Sequence, residues 1–213
     1  MLTSGRGETT ITPFGLERTG VDAFETVIAA ILQRQGYWTL TSVKVELTKE
    51  EKRAIGRHSS PRWELDIVAY RGKDNEVRVV ECKSYLDSRG VAREAFDGSN
   101  RKAEKRYKLF VEDTLRKVVL GRLEHQLVSG GFCAKNPTIR LGLAAGKIHG
   151  DESCLQAHFK KNSWLLLGPE YIRQELKKLR DSGYENSVVA VVTKLLMRDK
   201  TSRLVEAGVD ADV

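Results

Sequence analysis

The stretch Trp63–Tyr85, WELDIVAYRGKDNEVRVVECKSY, decides the fold that this sequence predicts. Its first end, Trp63–Tyr70, consists largely of β-branched, aliphatic and aromatic residues, and its second, Val77–Tyr85, contains three valines and a tyrosine. Both compositions are typical of strands. The segment RGKDNE between them is rich in residues that form turns. We therefore predict that the two strands pair as a β-hairpin.

Three charged side chains stand among apolar neighbours on the two hairpin strands. Asp66 lies within ELDIVAY, and Glu81 and Lys83 lie within VVECKSY. Charges in such strands are energetically costly unless they are paired or bound to a metal ion. Because side chains alternate along a strand, Glu81 and Lys83 are predicted to point to one face and Cys82 to the other. Hairpin pairing is compatible with an arrangement that brings the two carboxylates together.

These three side chains predict a metal site. Two carboxylates held close together repel each other, and a divalent cation relieves that repulsion. Mg²⁺ prefers oxygen ligands and commonly takes one or two carboxylates, with waters and substrate phosphate completing the octahedron. An ammonium group alongside can hold an attacking water or neutralise charge that develops on a phosphodiester. We therefore predict a site for Mg²⁺, with Mn²⁺ as a substitute. The alternative is an edge hairpin whose charges are solvated and form a cross-strand ion pair.

Hydrophobic periodicity places helices and further strands on both sides of the hairpin. Val21–Gln35 has the spacing of an amphipathic helix, with Asp22 in its first turn and Gly36 as its stop. The other predicted elements are a strand at Tyr37–Leu47, a helix at Tyr107–Val128, strands at Ile139–Ala145 and Ser163–Leu167, and helices at Glu170–Leu179 and Ser187–Met197. This order predicts an α/β fold with a central mixed β-sheet flanked by helices.

The chain length and composition predict the domain organisation. A chain of 213 residues suits a single domain, which we place at 21–200, between a flexible N-terminal arm at 1–20 and a polar tail at 201–213. No apolar run is long enough for a membrane helix, and the first residues do not resemble a signal peptide. The three scattered cysteines do not form a disulfide framework, so we expect a cytoplasmic protein.

The charge balance points to a polyanionic partner. Lys and Arg number 36 against 29 Asp and Glu, a net charge of +7, although many soluble proteins carry such a charge for solubility alone. Two basic clusters are candidates for contact with a phosphate backbone. The loop before the first hairpin strand contains Arg53, Arg57 and Arg62, and the segment before the long helix contains Lys102. A solvated charged face is the alternative for each cluster.

Asp66 together with Glu81-Cys82-Lys83 resembles the PD-(D/E)xK signature of the restriction-endonuclease-like nuclease superfamily. Leu65 stands where the name of the signature has proline, at a position that varies widely in that superfamily. The resemblance implies a metal-dependent phosphodiesterase. It also implies that Asp66 and Glu81 bind the metal ion and that Lys83 positions the nucleophile.

The resemblance extends from Val21 to about Leu167, where the order of elements fits a restriction-endonuclease-like core. Many members of the superfamily carry an acidic residue on the first core helix that reaches the metal site, and Glu25 matches it. The alternative for Glu25 is a residue on the polar face of the helix. The resemblance also makes Gln126 a candidate contact for substrate or water, with an ordinary surface residue as the alternative.

The sequence therefore predicts a Mg²⁺-dependent endonuclease, a hydrolase that cleaves phosphodiester bonds and acts on DNA in restriction, repair or phage defence. Two alternatives stay open: a non-catalytic nucleic-acid-binding module of the same fold, and an RNA-directed nuclease. Because cutting both strands usually calls for two sites, we also expect a homodimer. For an RNA-directed nuclease, a partner subunit could supply a sensor domain. No membrane partner is expected.

Overall fold

The computed structural model describes residues 22–59, 62–183 and 185–197. The predicted arm at 1–20 and the predicted tail at 201–213 therefore lie outside the described residues. Within the described part of the chain, no helix combines the length and the apolar character that crossing a membrane requires.

The described residues form helices and strands in a mixed order along the chain. In chain order these are α1 Ala23–Arg34, β1 Trp38–Val45, α2 Lys49–Ala54, β2 Trp63–Arg71, β3 Glu76–Lys83, β4 Val91–Ala92, α3 Arg101–Glu104, α4 Lys108–Val111, α5 Asp113–Ser129, β5 Thr138–Ala145, β6 Ile148–His149, α6 Glu152–Lys161, β7 Leu165–Leu167, α7 Pro169–Arg180 and α8 Val188–Met197. A single 3-10 turn at Arg93–Ala95 follows β4.

Five strands form one mixed sheet in the order β1-β2-β3-β5-β7, and β4 pairs with β6 separately. The β1–β2 and β2–β3 pairs are antiparallel, whereas β3–β5 and β5–β7 are parallel. The predicted hairpin is present, with Arg71 paired to Glu76 beside the turn and Ile67 paired to Val80 at the other end. The predicted α/β fold with a central mixed sheet between helices is confirmed.

Helices cover both faces of the sheet. One face packs against α5, which buries four side chains at helical spacing, namely Leu115, Val119, Leu123 and Leu127. The other face packs against α1, which buries Ile28, Ile31 and Leu32. Full burial of such a side chain contributes about 1.5–3 kcal/mol to stability. The charged residues of β2 and β3 lie at one end of the sheet, between these two helical layers.

The helix α1 begins at Ala23, so Asp22 lies just before its first turn. Asp22 is instead the N-cap, and its carboxylate accepts hydrogen bonds from the backbone N–H groups of Phe24 at 2.7 Å and Glu25 at 3.1 Å. The prediction that Asp22 lies in the first turn is therefore wrong. Capping satisfies two donors that the helix itself leaves free. The predicted stop at Gly36 has a φ of 85°, which suits glycine.

Two further differences concern the helices that follow the hairpin. The single helix predicted at Tyr107–Val128 is divided into α4 and α5, because Glu112 between them has an extended backbone. The helix α6 was not predicted at all. It buries only Leu155 and Phe159 in ten residues, a pattern too sparse for periodicity to reveal. The predicted element order therefore lacks one helix between β5 and β7.

Candidate active site

Asp66, Glu81 and Lys83 meet at one end of the central sheet. The ammonium nitrogen Nζ of Lys83 lies 3.6 Å from Oδ2 of Asp66 and 3.7 Å from Oε2 of Glu81. The side chain of Lys83 is 22% exposed, that of Asp66 24% and that of Glu81 16%, so water still reaches all three. Two carboxylates from neighbouring strands therefore flank one cation in a partly desolvated site.

An irregularity in the sheet positions Asp66. The pairing of β1 with β2 omits Asp66 and Ser42, which has a φ of 51°, in the left-handed region. Leu65 and Ile67 are two residues apart yet pack on opposite faces of the sheet, so the usual alternation breaks at Asp66. Its carboxylate oxygen Oδ2 accepts a hydrogen bond from the backbone N–H of Cys82 at 2.6 Å. This charge-assisted bond ties Asp66 directly to the neighbouring strand.

Regular alternation positions the other two charges on β3. The side chain of Cys82 packs against the cluster on the α1 face, where burial raises the pKa of its thiol. Val79 packs on the α5 face, and alternation places Glu81 and Lys83 on that same side of the strand. The ammonium of Lys83 also donates a hydrogen bond to the carbonyl of Cys82 at 3.0 Å. These contacts fix the ammonium group between the carboxylates.

Burial and neighbouring charge set the protonation of the site. Burial, followed by the carboxylate of Asp66, raises the pKa of Glu81 to about 7, against the opposing attraction of Lys83. Burial alone would lower the pKa of Lys83, but the carboxylates of Asp66 and Glu81 outweigh it and raise that pKa. Near neutral pH, Lys83 is therefore an ammonium ion.

Glu25 on α1 belongs to the same electrostatic environment. Burial and then the carboxylate of Asp66 raise the pKa of Glu25 to about 7, and Asp22 and Glu64 add to this rise. Glu64 itself is exposed at the start of β2. Because the alternation of β2 breaks at Asp66, a spacing of two residues does not place Glu64 and Asp66 on one face of the strand. The site thus contains an excess of carboxylates over its single ammonium group.

The donor set can be compared with the needs of a metal ion. Within 22–59, 62–183 and 185–197, no three Asp, Glu, His or Cys side chains lie close enough together to enclose an ion. Mg²⁺ does not require such an enclosure, because one or two carboxylates suffice when water and substrate oxygens supply the other ligands. Asp66 and Glu81 provide two such carboxylates, with Glu25 nearby. The residues present therefore fit Mg²⁺ bound together with a substrate.

The predicted phosphate-contacting arginines occupy different environments. Arg57 donates two hydrogen bonds to the carboxylate of Glu112, at 2.8 and 2.9 Å, and its guanidinium carbon lies 4.9 Å from the centroid of the Trp63 ring. These contacts hold the loop before β2 against the start of α5, and the predicted phosphate contact of Arg57 stays a prediction. Arg62 lies 3.6 Å from a carboxylate oxygen of Glu46, whereas Arg53 is exposed on α2.

Gln126 and Lys102 also differ in their surroundings. The side-chain oxygen of Gln126 accepts a hydrogen bond from the N–H of Glu46 at 3.0 Å, and its nitrogen donates to the carbonyl of Lys44 at 3.5 Å. Arg122, one turn earlier, donates to the carbonyl of Glu46 at 2.8 Å. Gln126 therefore holds α5 against the end of β1, and its predicted contact with substrate or water stays a prediction. Lys102 is exposed on α3.

Sequence reasoning gave no role to Gly146, which supports the backbone after Lys83. The N–H of Gly146 donates a hydrogen bond to the carbonyl of Lys83 at 3.0 Å. A Cβ atom at Gly146 would lie only 2.3 Å from the carbonyl oxygen of Ser84. Glycine is therefore required for the end of β5 to approach the segment that follows the candidate site. The only sequence signal was a glycine directly after a predicted strand.

Replacing Gly146 by Ala is expected to destabilise the protein by about 1–3 kcal/mol, because the new methyl group overlaps backbone that must move. Urea-induced unfolding followed by circular dichroism measures this change. Gly121→Ala is the matched control, since a Cβ atom there meets nothing within 4 Å. In a helix interior this control should raise stability by up to about 1 kcal/mol. Equal stability of the two variants would contradict the proposed close approach.

The raised pKa of Glu81 predicts how stability depends on pH in metal-free protein. Between its usual pKa of 4.5 and its folded-state pKa of about 7, the folded protein keeps a proton that the unfolded chain has lost. Stability therefore falls as pH rises through this window, and the cost is fully present above it. Glu81→Gln, which is neutral throughout, should be more stable than the parent by up to about 3 kcal/mol near pH 8.

The advantage of Glu81→Gln should disappear near pH 5, roughly at the lower end of the window. Denaturant titrations in the presence of a chelator, at both pH values, measure the difference. Glu50→Gln, at an exposed position on α2, is the control and should match the parent at both. A parent protein that loses no more stability than Glu81→Gln on going to high pH would contradict the raised pKa.

Comparisons with known proteins add little to this description. No family model and no curated protein matches the chain. One solved structure, the crystal structure of a protein of unknown function, AF1548, shares 19% sequence identity over 86% of this chain and 76% of that one, with a TM-score of 0.43. A likeness this weak supports no argument about fold or function.

Proposed function

We propose that this protein is a metal-dependent nuclease with a restriction-endonuclease-like core, hydrolysing phosphodiester bonds with DNA as the expected substrate. The observation that carries the proposal is the Lys83 ammonium held 3.6 and 3.7 Å from the carboxylates of Asp66 and Glu81. A lone structural ion pair needs one acid, whereas this site has two, with Glu25 nearby. The excess negative charge is what a bound divalent cation neutralises.

The residues of the site can divide the work of hydrolysis. Asp66 and Glu81 would hold Mg²⁺, with Glu25 available to it directly or through water. When bound, such an ion would polarise the phosphodiester and lower the pKa of water. Lys83 is an ammonium ion near neutral pH, so it acts through its charge and its N–H donors. Its N–H groups can donate hydrogen bonds to the oxygen of the attacking water and orient it, and its charge can stabilise negative charge that grows on the phosphoryl oxygens.

Exposed cations support a polyanionic substrate. Lys102 lies on α3, and Lys105 and Arg106 directly after it are also exposed. Arg53 is exposed on α2, the helix that precedes β2 in the sequence. Cations that contact phosphates release counterions, so binding should weaken steeply as salt concentration rises. Such contacts position a nucleic acid without selecting its sequence.

The test combines metal binding with cleavage. Calorimetric titration with Mn²⁺ should detect a site that disappears in the Asp66→Asn variant. Plasmid DNA, single-stranded DNA and RNA are then incubated with the protein and Mg²⁺ or Mn²⁺. Cleavage of DNA supports the proposal, and cleavage of RNA alone would favour an RNA-directed nuclease. Nucleic-acid binding without a metal site or cleavage would indicate a non-catalytic module of the same fold.

A further inference from the structure

The paired strands that end at the candidate site lead into the small sheet formed by β4 and β6. Lys83, the last residue of β3, is paired with Ala145, the last residue of β5. Only Gly146 and Lys147 separate β5 from β6. Because a chain advances at most about 3.6 Å per residue, the Cα atom of Lys147 lies within about 7 Å of that of Ala145. The β4–β6 sheet therefore adjoins the end of the central sheet that carries Lys83.

Backbone contacts hold the loop before β4 against Lys147. The N–H of Val91 donates a hydrogen bond to the carbonyl of Lys147 at 2.9 Å. Gly90, with a φ of 97°, lies so close that a Cβ atom there would be 2.9 Å from that carbonyl oxygen and 3.1 Å from Cγ of Lys147. The side chain of Lys147 therefore leaves the backbone directly against Gly90, the residue that follows Arg89.

This contact brings two exposed cations onto adjoining segments of the chain. Arg89 and Lys147 are both exposed. The guanidinium nitrogen Nη2 of Arg89 lies 2.7 Å from the ring nitrogen Nε2 of His149 on β6. A guanidinium can only donate, so this nitrogen of His149 accepts the bond and holds Arg89 without neutralising its charge. We call Arg89, Lys147 and His149 together the β4–β6 platform.

No acid neutralises the platform in the part of the chain that the structure describes. Neither Arg89 nor Lys147 forms an ion pair with a carboxylate there, and Asp87, exposed in the same loop, is bonded to neither. By contrast, Arg93 pairs with Asp97, with 3.4 Å between Nε and Oδ2. Like charges on adjoining segments repel each other, and a bound anion relieves that repulsion. The platform therefore suits an anionic ligand that extends beyond the end of the central sheet.

We propose that the β4–β6 platform binds the backbone of the nucleic acid, at phosphates next to the one that the candidate active site would cleave. Arg89 and Lys147 contact phosphate oxygens, and His149 is a positioning residue that acts through Arg89. This inference rests on the proposed function, because it names further contacts of the same substrate. Successive nucleotides of one strand are about 3.4 Å apart along the helix axis, so the platform lies within a few nucleotides of Lys83. Such contacts fix the register of a strand without selecting its sequence.

The test measures binding of a short fluorescein-labelled DNA duplex in Ca²⁺ over a range of salt concentrations. Arg89→Ala and Lys147→Ala should each weaken binding by about tenfold at low salt. Each should also lower the slope of log Kd against log salt concentration by about 1, because one phosphate contact fewer releases counterions. Lys73→Ala is the matched control, since Lys73 is exposed in the turn between β2 and β3, at the opposite end of the sheet. Its affinity and its slope should match those of the parent.

The salt slope separates direct contact from a merely structural role. His149→Ala should weaken binding less than Arg89→Ala and keep the slope of the parent, because the positive charge of Arg89 remains but is no longer held. Weaker binding by Arg89→Ala and Lys147→Ala with an unchanged slope would overturn the phosphate contacts, since both residues would then act through the fold alone. All of these positions are exposed, so the Tm of each variant should match that of the parent.

Binding and cleavage together distinguish this inference from the proposed function. If the parent cleaves DNA, and Arg89→Ala and Lys147→Ala bind it with the affinity and the salt slope of the parent, this inference is overturned and the proposed function stands. If the parent binds DNA through the platform but cleaves nothing in Mg²⁺ or Mn²⁺, the contacts are supported and hydrolysis is not. A parent that neither binds nor cleaves nucleic acid overturns both.

Discussion

Replacing Lys83 by Ala is expected to lower the single-turnover rate of phosphodiester cleavage by about a thousandfold, while the protein stays folded. The ammonium group lies between the carboxylates of Asp66 and Glu81, and its raised pKa keeps it charged near neutral pH. Without it, no described cation remains to stabilise charge at that point of the site. Rates at saturating enzyme, measured with labelled DNA and Mg²⁺, separate this loss from weaker binding.

Two further lysine variants sharpen this experiment. Lys160→Ala is the matched control, because Lys160 is exposed on α6 and lines a groove with Thr138, at the opposite end of β5 from the residue paired with Lys83. Its rate should equal that of the parent. Lys83→Arg keeps the charge but replaces a compact ammonium by a planar fork, so it should recover only part of the activity. A Lys83→Ala variant as active as the Lys160→Ala control would contradict the proposed role.

Replacing Asp66 by Asn is expected to abolish both Mn²⁺ binding and cleavage, with a loss of rate of at least about a hundredfold. The amide is a poorer metal ligand than the carboxylate and removes one of the two charges that would hold the ion. Its oxygen can still accept the hydrogen bond that the N–H of Cys82 now donates at 2.6 Å. The fold should therefore survive, and calorimetry together with cleavage rates measures the two losses.

Asp66→Ala separates the structural from the chemical role of this residue. It removes the acceptor as well, so the Cys82 N–H loses its partner at a cost of about 1–3 kcal/mol. Asp66→Ala should thus unfold at lower denaturant concentration than Asp66→Asn, although both lack activity. Glu50→Gln, on the exposed side of α2, should retain metal binding and rate. An Asp66→Asn variant that still binds Mn²⁺ with the affinity of the parent would refute the metal site.

Local patterns were a sound guide wherever a residue acts through its own strand or helix. The hairpin was predictable because its two apolar runs flank a polar turn, and Glu81 and Lys83 were predictable as a pair because they are two apart on a regular strand. The amphipathic spacing of α1 likewise placed Glu25 on a helix that packs against the sheet. Each of these inferences needed only the periodicity of one segment.

Long-range contacts explain what the sequence could not show. Gln126 and Arg57 were predicted as candidate contacts for a substrate, and the structure adds that both bond residues far away in the chain. A polar side chain that secures one element to another has no local signature, since its partner lies more than fifty positions away. The same holds for Gly146. This position requires glycine because the carbonyl oxygen of Ser84, in another part of the chain, leaves no room for a side chain.

The sequence by itself determined the α/β class, the hairpin and the identity of the three charged residues, because apolar periodicity and embedded charge are properties of single segments. Only the tertiary structure decided that these charges meet. Asp66 reaches Lys83 because the alternation of β2 breaks opposite Ser42, and the left-handed backbone at Tyr85 is held by Ser88 and by Gly146, directly after β5. Neither irregularity is favourable in an isolated segment, so it exists only where packing and hydrogen bonds from neighbouring elements outweigh its strain.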